Sequence, residues 1–144
     1  MLIGWLKSRV LSYVGRHRYW KRDFHGAYKY FEGIIAGRPW ALGANVWLAS
    51  CDIALKRYGD AVVPLEKAKP DLATAHGYLG VALFHQGLHR GALEEFTRAL
   101  RINPHLKPND SWMEWLGRAY YEVGRWQEAI NSFEEAIRVQ PSTY

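Results

Sequence analysis

Apolar residues recur along this chain at intervals of three and four, in short segments separated by polar residues or glycine. That spacing places the apolar side chains on one face of an α-helix, which makes about 3.6 residues per turn. The segments come in pairs, and each pair occupies about 34 residues. The pattern therefore predicts an all-α chain of paired amphipathic helices.

The pairs are copies of one another. Residues 78–104 and 115–141 carry the same or similar residues at identical intervals. The matched positions are Gly80 and Gly117, Gly87 and Gly124, Ala92 and Ala129, Phe96 and Phe133, Ala99 and Ala136, and Pro104 and Pro141. Chance does not produce agreement at so many fixed offsets, so the chain contains an internal repeat.

Two weaker copies lie upstream. The small residue of each first helix serves here as the reference position, and it is Gly15, Ala49, Gly80 or Gly117. Successive reference positions are 34, 31 and 37 residues apart. The weaker copies also keep Ala27, Phe31, Ile34 and Pro39, and Ala61, Leu65 and Ala68. The predicted units are residues 8–41, 42–72, 73–109 and 110–143, within a single domain of residues 1–144.

The period, with Leu-Gly, Ala, Phe, Ala and Pro at these offsets, resembles the tetratricopeptide repeat. The resemblance covers residues 8–143 and is strongest in the last two units. It implies a right-handed α-solenoid of about four helix-turn-helix hairpins, in which glycine and alanine let helices approach closely. It also implies a non-enzymatic scaffold or adaptor whose partner is a protein or peptide.

The first two units depart from this pattern. Arg22 and Lys56 stand where the later units have Gly87 and Gly124, so their turns are less clearly specified. Pro64 falls inside the expected second helix of the second unit, and Pro70 should end that helix early. We therefore expect a kinked or shortened helix there.

In the family that the chain resembles, the first helix of each hairpin lines a concave, ligand-selecting groove. The predicted groove consists of Tyr13, Trp47, Tyr78 and Trp115 two residues before the reference position, Arg16 and Arg118 one after it, and Tyr19, Ile53, Phe84 and Tyr121 four after it. It would bind apolar side chains of a peptide or helix, with an arginine pairing an acidic group. The alternative is that these rings are ordinary packing between helices.

The two ends of the stack form a second predicted surface. Each hairpin of a repeat array leaves an apolar face for its neighbour. The end residues are Leu2, Ile3, Trp5 and Leu6 in the first helix, and Ala129, Ile130, Phe133 and Ile137 in the last. Head-to-tail stacking through them would give a homo-oligomer, as a ring or filament. The alternative is a soluble monomer, in which residues such as Glu134 and Arg138 make the last helix polar enough to face water.

Composition and charge add two expectations. The 144 residues are 49% hydrophobic and include seven Trp, which suits a packed core with aromatic contact surface. Residues 1–30 hold seven Lys or Arg and one acid, which is +6, so with a net charge of +5 the remainder sums to −1. This basic end could meet an acidic protein or an anionic membrane, or form a solvated helix face. No nucleic-acid partner is expected.

Candidate chemistry is sparse. Cys51 is the single cysteine, which fits a reducing compartment, and the short apolar run before Lys7 does not suggest a signal peptide. A soluble, cytoplasmic protein is expected, with peripheral association with a membrane as the alternative. His85 and His89 are four apart, but the predicted turn separates them, so no metal site is expected. Acids such as Glu94 and Glu95 are predicted on outer faces. We expect no cofactor and no enzymatic activity.

Overall fold

A computed structural model describes residues 2–68, 72–104 and 112–139 of the chain. The described residues form eight α-helices. Their bounds are α1 (Leu2–Trp20), α2 (Phe24–Gly37), α3 (Leu42–Ala54), α4 (Tyr58–Ala68), α5 (Ala73–His85), α6 (His89–Ile102), α7 (Trp112–Glu122) and α8 (Trp126–Val139). The helix α1 thus begins ahead of residue 8, where the repeat pattern places the start of the first unit.

The helices pack as four hairpins in a row. Each odd-numbered helix contacts the next even-numbered one, and the second helix of each hairpin contacts the first helix of the following hairpin. The first helices of neighbouring hairpins also touch one another. Apolar clusters fill the spaces between hairpins. The all-α solenoid of about four helix-turn-helix hairpins is therefore confirmed.

The two helices of a hairpin meet where a glycine faces an aromatic ring. A Cβ atom added to Gly80 would lie 2.6 Å from the ring of Phe96, and one added to Gly117 would lie 2.8 Å from that of Phe133. In the first hairpin Gly15 faces Phe31 at 2.9 Å. The repeated glycine is thus a packing requirement, since a larger side chain has no room.

The second hairpin solves the same packing problem with different side chains. Its reference residue is Ala49, and Leu65 stands where the other hairpins have phenylalanine. Both side chains are fully buried in the core between the second and third hairpins. A smaller apolar side chain thus leaves room for the extra methyl group.

The turns within the four hairpins share one backbone conformation. Arg22 and Lys56 have φ angles of 62° and 61°, close to the 78° and 79° of Gly87 and Gly124. The N–H of Arg22 donates to the carbonyl of Tyr19 (2.9 Å), as the N–H of Gly87 does to Phe84 (3.0 Å). The first two turns are therefore as regular as the others, although positive φ imposes steric strain on a non-glycine residue.

The fourth helix has 11 described residues, including Pro64, and residues 69–71 after it lie outside the described part of the chain. Leu65 and Ala68, which follow Pro64, are fully buried. The expected kink or shortening of this helix stays a prediction. Pro70 and Pro141 lie outside the described residues, as does the linker that begins at residue 105.

A buried acid in the second hairpin lies beside a basic side chain. Asp52 lies 2.6 Å from Arg57, whose guanidinium stacks 4.7 Å above the ring of Tyr28. This arrangement links the first two hairpins through α2 and α3. Burial raises the pKa of the neighbouring Cys51 thiol to about 12, with the charge of Asp52 adding to the effect. Cys51 is fully buried and free, as its position in the repeat predicts.

Substituting Gly80 by alanine should destabilise the fold by about 1–3 kcal/mol, because the new methyl group would overlap the buried ring of Phe96. Gly33, also inside a helix, is the matched control, since nothing lies within 4 Å of its hypothetical Cβ. Gly33→Ala should stabilise by about 0.5–1 kcal/mol through helix propensity. Urea denaturation followed by circular dichroism measures both. Equal effects of the two substitutions would contradict the close-packing assignment.

Lys56→Gly should raise the free energy of unfolding by up to about 1 kcal/mol, because glycine adopts a positive φ without steric cost. Gly87→Ala, at the equivalent turn, should lower it by a similar amount. No side chain lies within 4 Å of a Cβ built on Gly87, so its effect is one of backbone conformation. Thermal melts of the two variants test this, and opposite signs are the expected result.

Candidate protein-interaction surface

The rings predicted to line the groove lie largely between hairpins. Trp47 stacks on Phe31 of the preceding hairpin, with ring centroids 5.7 Å apart. Trp115 lies parallel to Phe96 at 6.5 Å and meets the edge of Phe84 at 5.4 Å. Both tryptophans are partly buried. The position two residues before the reference residue therefore carries an aromatic side chain because the first helix of a hairpin packs on the preceding hairpin at that point.

Tyr78 follows the same rule with another partner. It is partly buried, packs on the core between the second and third hairpins, and meets Trp112 edge to face at 5.4 Å. Tyr19 is partly buried against Trp47 at 5.3 Å. Ile53 is partly buried and packs on two adjacent cores. These three side chains thus have structural contacts and a limited exposed surface.

The first hairpin differs from the others at the same offset. Tyr13 is 67% exposed, and Arg16 is exposed beside it. The reason is positional, because within the described part of the chain no hairpin packs against the outer face of α1. Arg16 and Arg118 come directly after the reference residues of the first and last hairpins. At the same position the two middle hairpins carry Ser50 and Val81, which are buried.

At the other end, predicted groove and predicted end residues come together. A depression of about 460 Å³ is lined by Phe84, Arg118, Tyr121, Glu122 and Phe133. A second depression of about 310 Å³ is lined by Arg118 and Phe133 again, together with Glu114 and Ile137. Because the two share lining residues, they form one surface across α7 and α8, which we call the end groove.

The end groove is the face that the other hairpins use to receive a neighbour. Phe31, Leu65 and Phe96 are fully buried, whereas Phe133, at the equivalent position of the last hairpin, is only partly buried. Ile130 and Ile137 are 49% and 48% exposed. Their counterparts in the earlier hairpins (Tyr28 and Ile35, Val62, and Leu93 and Leu100) are partly buried against the next hairpin.

One predicted end residue lies elsewhere. Ala129 was expected to be partly bare, but it is 2% exposed. Its counterparts Ala27, Ala61 and Ala92 are also buried. The physical reason is that an alanine methyl group barely rises above the helix backbone, so packing of α7 on α8 covers it. Ala129 therefore belongs to the interior of its own hairpin.

Three of the amino-terminal end residues are exposed, while their role in self-association stays a prediction. Ile3, Trp5 and Leu6 present large apolar surface on α1, and Arg9 stacks 4.8 Å above the ring of Trp5. The side chain of Leu2 lies outside the described residues. Depressions on the inner side of this helix, lined in part by Trp5, Ser8, Ile34 and Arg38, separate its first turns from α2 and α3.

Charge pairs border the apolar floor of the end groove. Arg118 forms an ion pair with Glu114, one helical turn away, and stacks 4.9 Å above Trp115. Arg138 pairs with Glu135 on α8. Partial burial lowers the pKa of His85, and the positive charge of Arg118 lowers it further. This arrangement of an apolar floor with a charged border suits the capture of apolar side chains.

Sequence reasoning missed two buried acids, Asp52 and Glu95. Glu95 was expected on an outer face, but it is buried, 2.6 Å from His76 and 3.2 Å from Arg98. Its oxygens thus join α5 to α6. Ser132, at the equivalent place in the last hairpin, is buried too, whereas Tyr30 and Pro64 in the first two hairpins are partly buried. A carboxylate there requires partners such as His76, which the repeat pattern does not specify.

The described residues can also be assessed for metal binding and for crossing a membrane. Within residues 2–68, 72–104 and 112–139, no three His, Cys, Asp or Glu side chains are grouped so that they could hold a metal ion. Over the same residues, no helix combines the length and the apolar character needed to cross a bilayer.

Comparisons with known proteins agree with the geometry. A family model for the tetratricopeptide repeat matches residues 71–142, half of the chain. Superkiller protein 3 of Saccharomyces cerevisiae is 30% identical over 119 residues, which cover 81% of this chain and 7% of that protein. The chain thus spans only a small fraction of the curated relative's length.

Solved structures share the fold at lower identity. MamA (41-end) from Desulfovibrio magneticus RS-1 superposes with a TM-score of 0.78 at 19% identity, over 94% of this chain and 77% of that one. A thermophilic tetratricopeptide protein of Thermus thermophilus gives 0.77 at 20% identity, over 94% and 75%. At these identities the likeness concerns the fold alone.

Trp115→Ala should destabilise the protein by about 2–3 kcal/mol, because the ring fills the space between the third and fourth hairpins. Tyr13→Ala, which removes an exposed ring from the same offset in α1, should change the free energy of unfolding by less than about 0.5 kcal/mol. Chemical denaturation compares the two. Equal stability of both variants would show that the offset has no packing role in the interior of the stack.

Proposed function

The chain belongs to the tetratricopeptide repeat family, and we propose that it is a non-enzymatic scaffold that binds an amphipathic helix of a protein partner in the end groove. The solenoid fold supports a role in protein interaction generally. What carries the finer proposal is one observation. Ile130 and Ile137 are exposed, and Phe133 is only partly buried, at positions that the other hairpins cover with a helix.

The internal hairpin contacts describe what the end groove would accept. The helices α3, α5 and α7 each lie on the preceding hairpin, so this kind of face is shaped for a helix. Two of them place a tryptophan parallel to the phenylalanine beneath, as Trp47 does on Phe31. A partner helix with an aromatic side chain could stack on Phe133 in the same manner.

The residues around the floor favour a partner with both apolar and charged side chains. Tyr121 is 56% exposed and would pack beside the incoming helix, as Phe84 packs beside Trp115. Burying an isoleucine such as Ile130 or Ile137 contributes about 1–2 kcal/mol each. Arg118 and Glu114 offer charges of both signs at the border, which would orient the partner more than hold it.

Ile137→Ser should reduce the amount of partner captured by the immobilised protein at least tenfold, because it removes apolar surface from the centre of the end groove. Ile102→Ser is the matched control, since Ile102 is 52% exposed but lies on α6, outside the groove. Capture from an extract of the source cells, quantified by mass spectrometry, compares the variants with wild type. Recovery of the same proteins in the same amounts by both variants would remove the end groove as the binding site.

A further inference from the structure

We propose that the helix received by the end groove is α1 of a second copy of this chain, so that copies stack head to tail. The inference rests on the proposed function, because it names the partner of the same groove. It joins two faces that the described residues leave uncovered, one on α8 and one on α1, by the contact that already holds neighbouring hairpins together.

The outer face of α1 has apolar side chains at three of the four positions that this contact uses, and His17 at the fourth. Four residues of α7 face the third hairpin. They are Trp112, five positions before the reference glycine, Trp115, two before it, Leu116, one before it, and Ala119, two after it. In α3 the same offsets carry Ala44, Trp47, Leu48 and Cys51, which pack on the first hairpin. In α1 they carry Val10, Tyr13, Val14 and His17.

The side chains of α1 at these positions are more exposed than those of α3, which packs on a preceding hairpin. Val10 and Tyr13 are 56% and 67% exposed, whereas Ala44 and Trp47 at the same offsets in α3 are partly buried. Docked on the end groove, Tyr13 would take the place over Phe133 that Trp47 takes over Phe31. The two bare faces are therefore complementary in the positions of their apolar side chains.

The charges of the two ends are complementary as well. The helix α1 carries Lys7, Arg9, Arg16 and Arg18 and no acid, or +4. Residues 112–139 carry five Glu and three Arg, or −2. Head-to-tail contact brings these opposite charges together, whereas contact between two copies of α1 would oppose like charges. The electrostatics thus favour a heterologous interface over a symmetric one.

A heterologous contact can be tested by blocking one end at a time. Ile137→Glu places a charge in the end groove, and Val10→Glu places one on the outer face of α1. In sedimentation velocity across the micromolar range, wild type should form species that grow beyond a dimer, while each variant alone stays monomeric. An equimolar mixture should form a 1:1 dimer that grows no further, since it retains one intact groove and one intact α1.

Control variants test whether loss of assembly is specific to the two contact faces. Arg101→Glu introduces the same charge at an exposed position of α6 and should assemble like wild type. Added salt should weaken assembly, because it screens the attraction between the oppositely charged ends. Circular dichroism of each variant checks folding, and Ile130→Glu serves as a second block of the end groove if Ile137→Glu is poorly folded.

Three outcomes would overturn the inference. The first is a wild-type chain that stays monomeric at every concentration. The second is a mixture of the two blocked variants that forms no dimer, and the third is a wild type that stops at a dimer, which would indicate a symmetric contact. The proposed function would survive these outcomes if Ile137→Ser still loses a captured protein, since the groove would then hold a helix of a different partner.

Discussion

The contact between a small residue on the first helix and a large ring on the second underlies the rest of this structure. In three hairpins that contact is Gly15 on Phe31, Gly80 on Phe96 and Gly117 on Phe133, with no room for even one added methyl group. It sets how closely the paired helices approach. It also leaves the other side of each ring turned toward the next hairpin, where the following first helix packs.

The same ring therefore has two partners, one within its hairpin and one beyond it. Phe31 and Phe96 have both partners and are fully buried. Phe133 has the inner partner, and among the described residues nothing covers its outer side. The end groove thus follows from the packing rule that builds the solenoid, since this ring keeps the inner contact while no described helix provides the outer one.

The paired polar groups inside the stack show how individual hairpins differ within the common rule. The position of Asp52 is Leu83 in the third hairpin, and that of Glu95 is Ser132 in the last. Placing each acid beside Arg57 or His76 offsets part of the cost of burying a charge. These pairs contribute to the joining of particular helices and leave the shape of the array unchanged.

Periodicity determined the helices, their pairing and the small and large residues of the core, because these depend on local spacing that repeats along the chain. Positive φ at Arg22 and Lys56 could not be predicted from residue type, since hairpin packing imposes it against local preference. The aromatic offset was visible in the sequence. Only the tertiary structure decided that Trp47 and Trp115 pack on their predecessors while Tyr13 is bare. Exposure depends on which neighbour covers a face, and that neighbour belongs to another repeat of the chain.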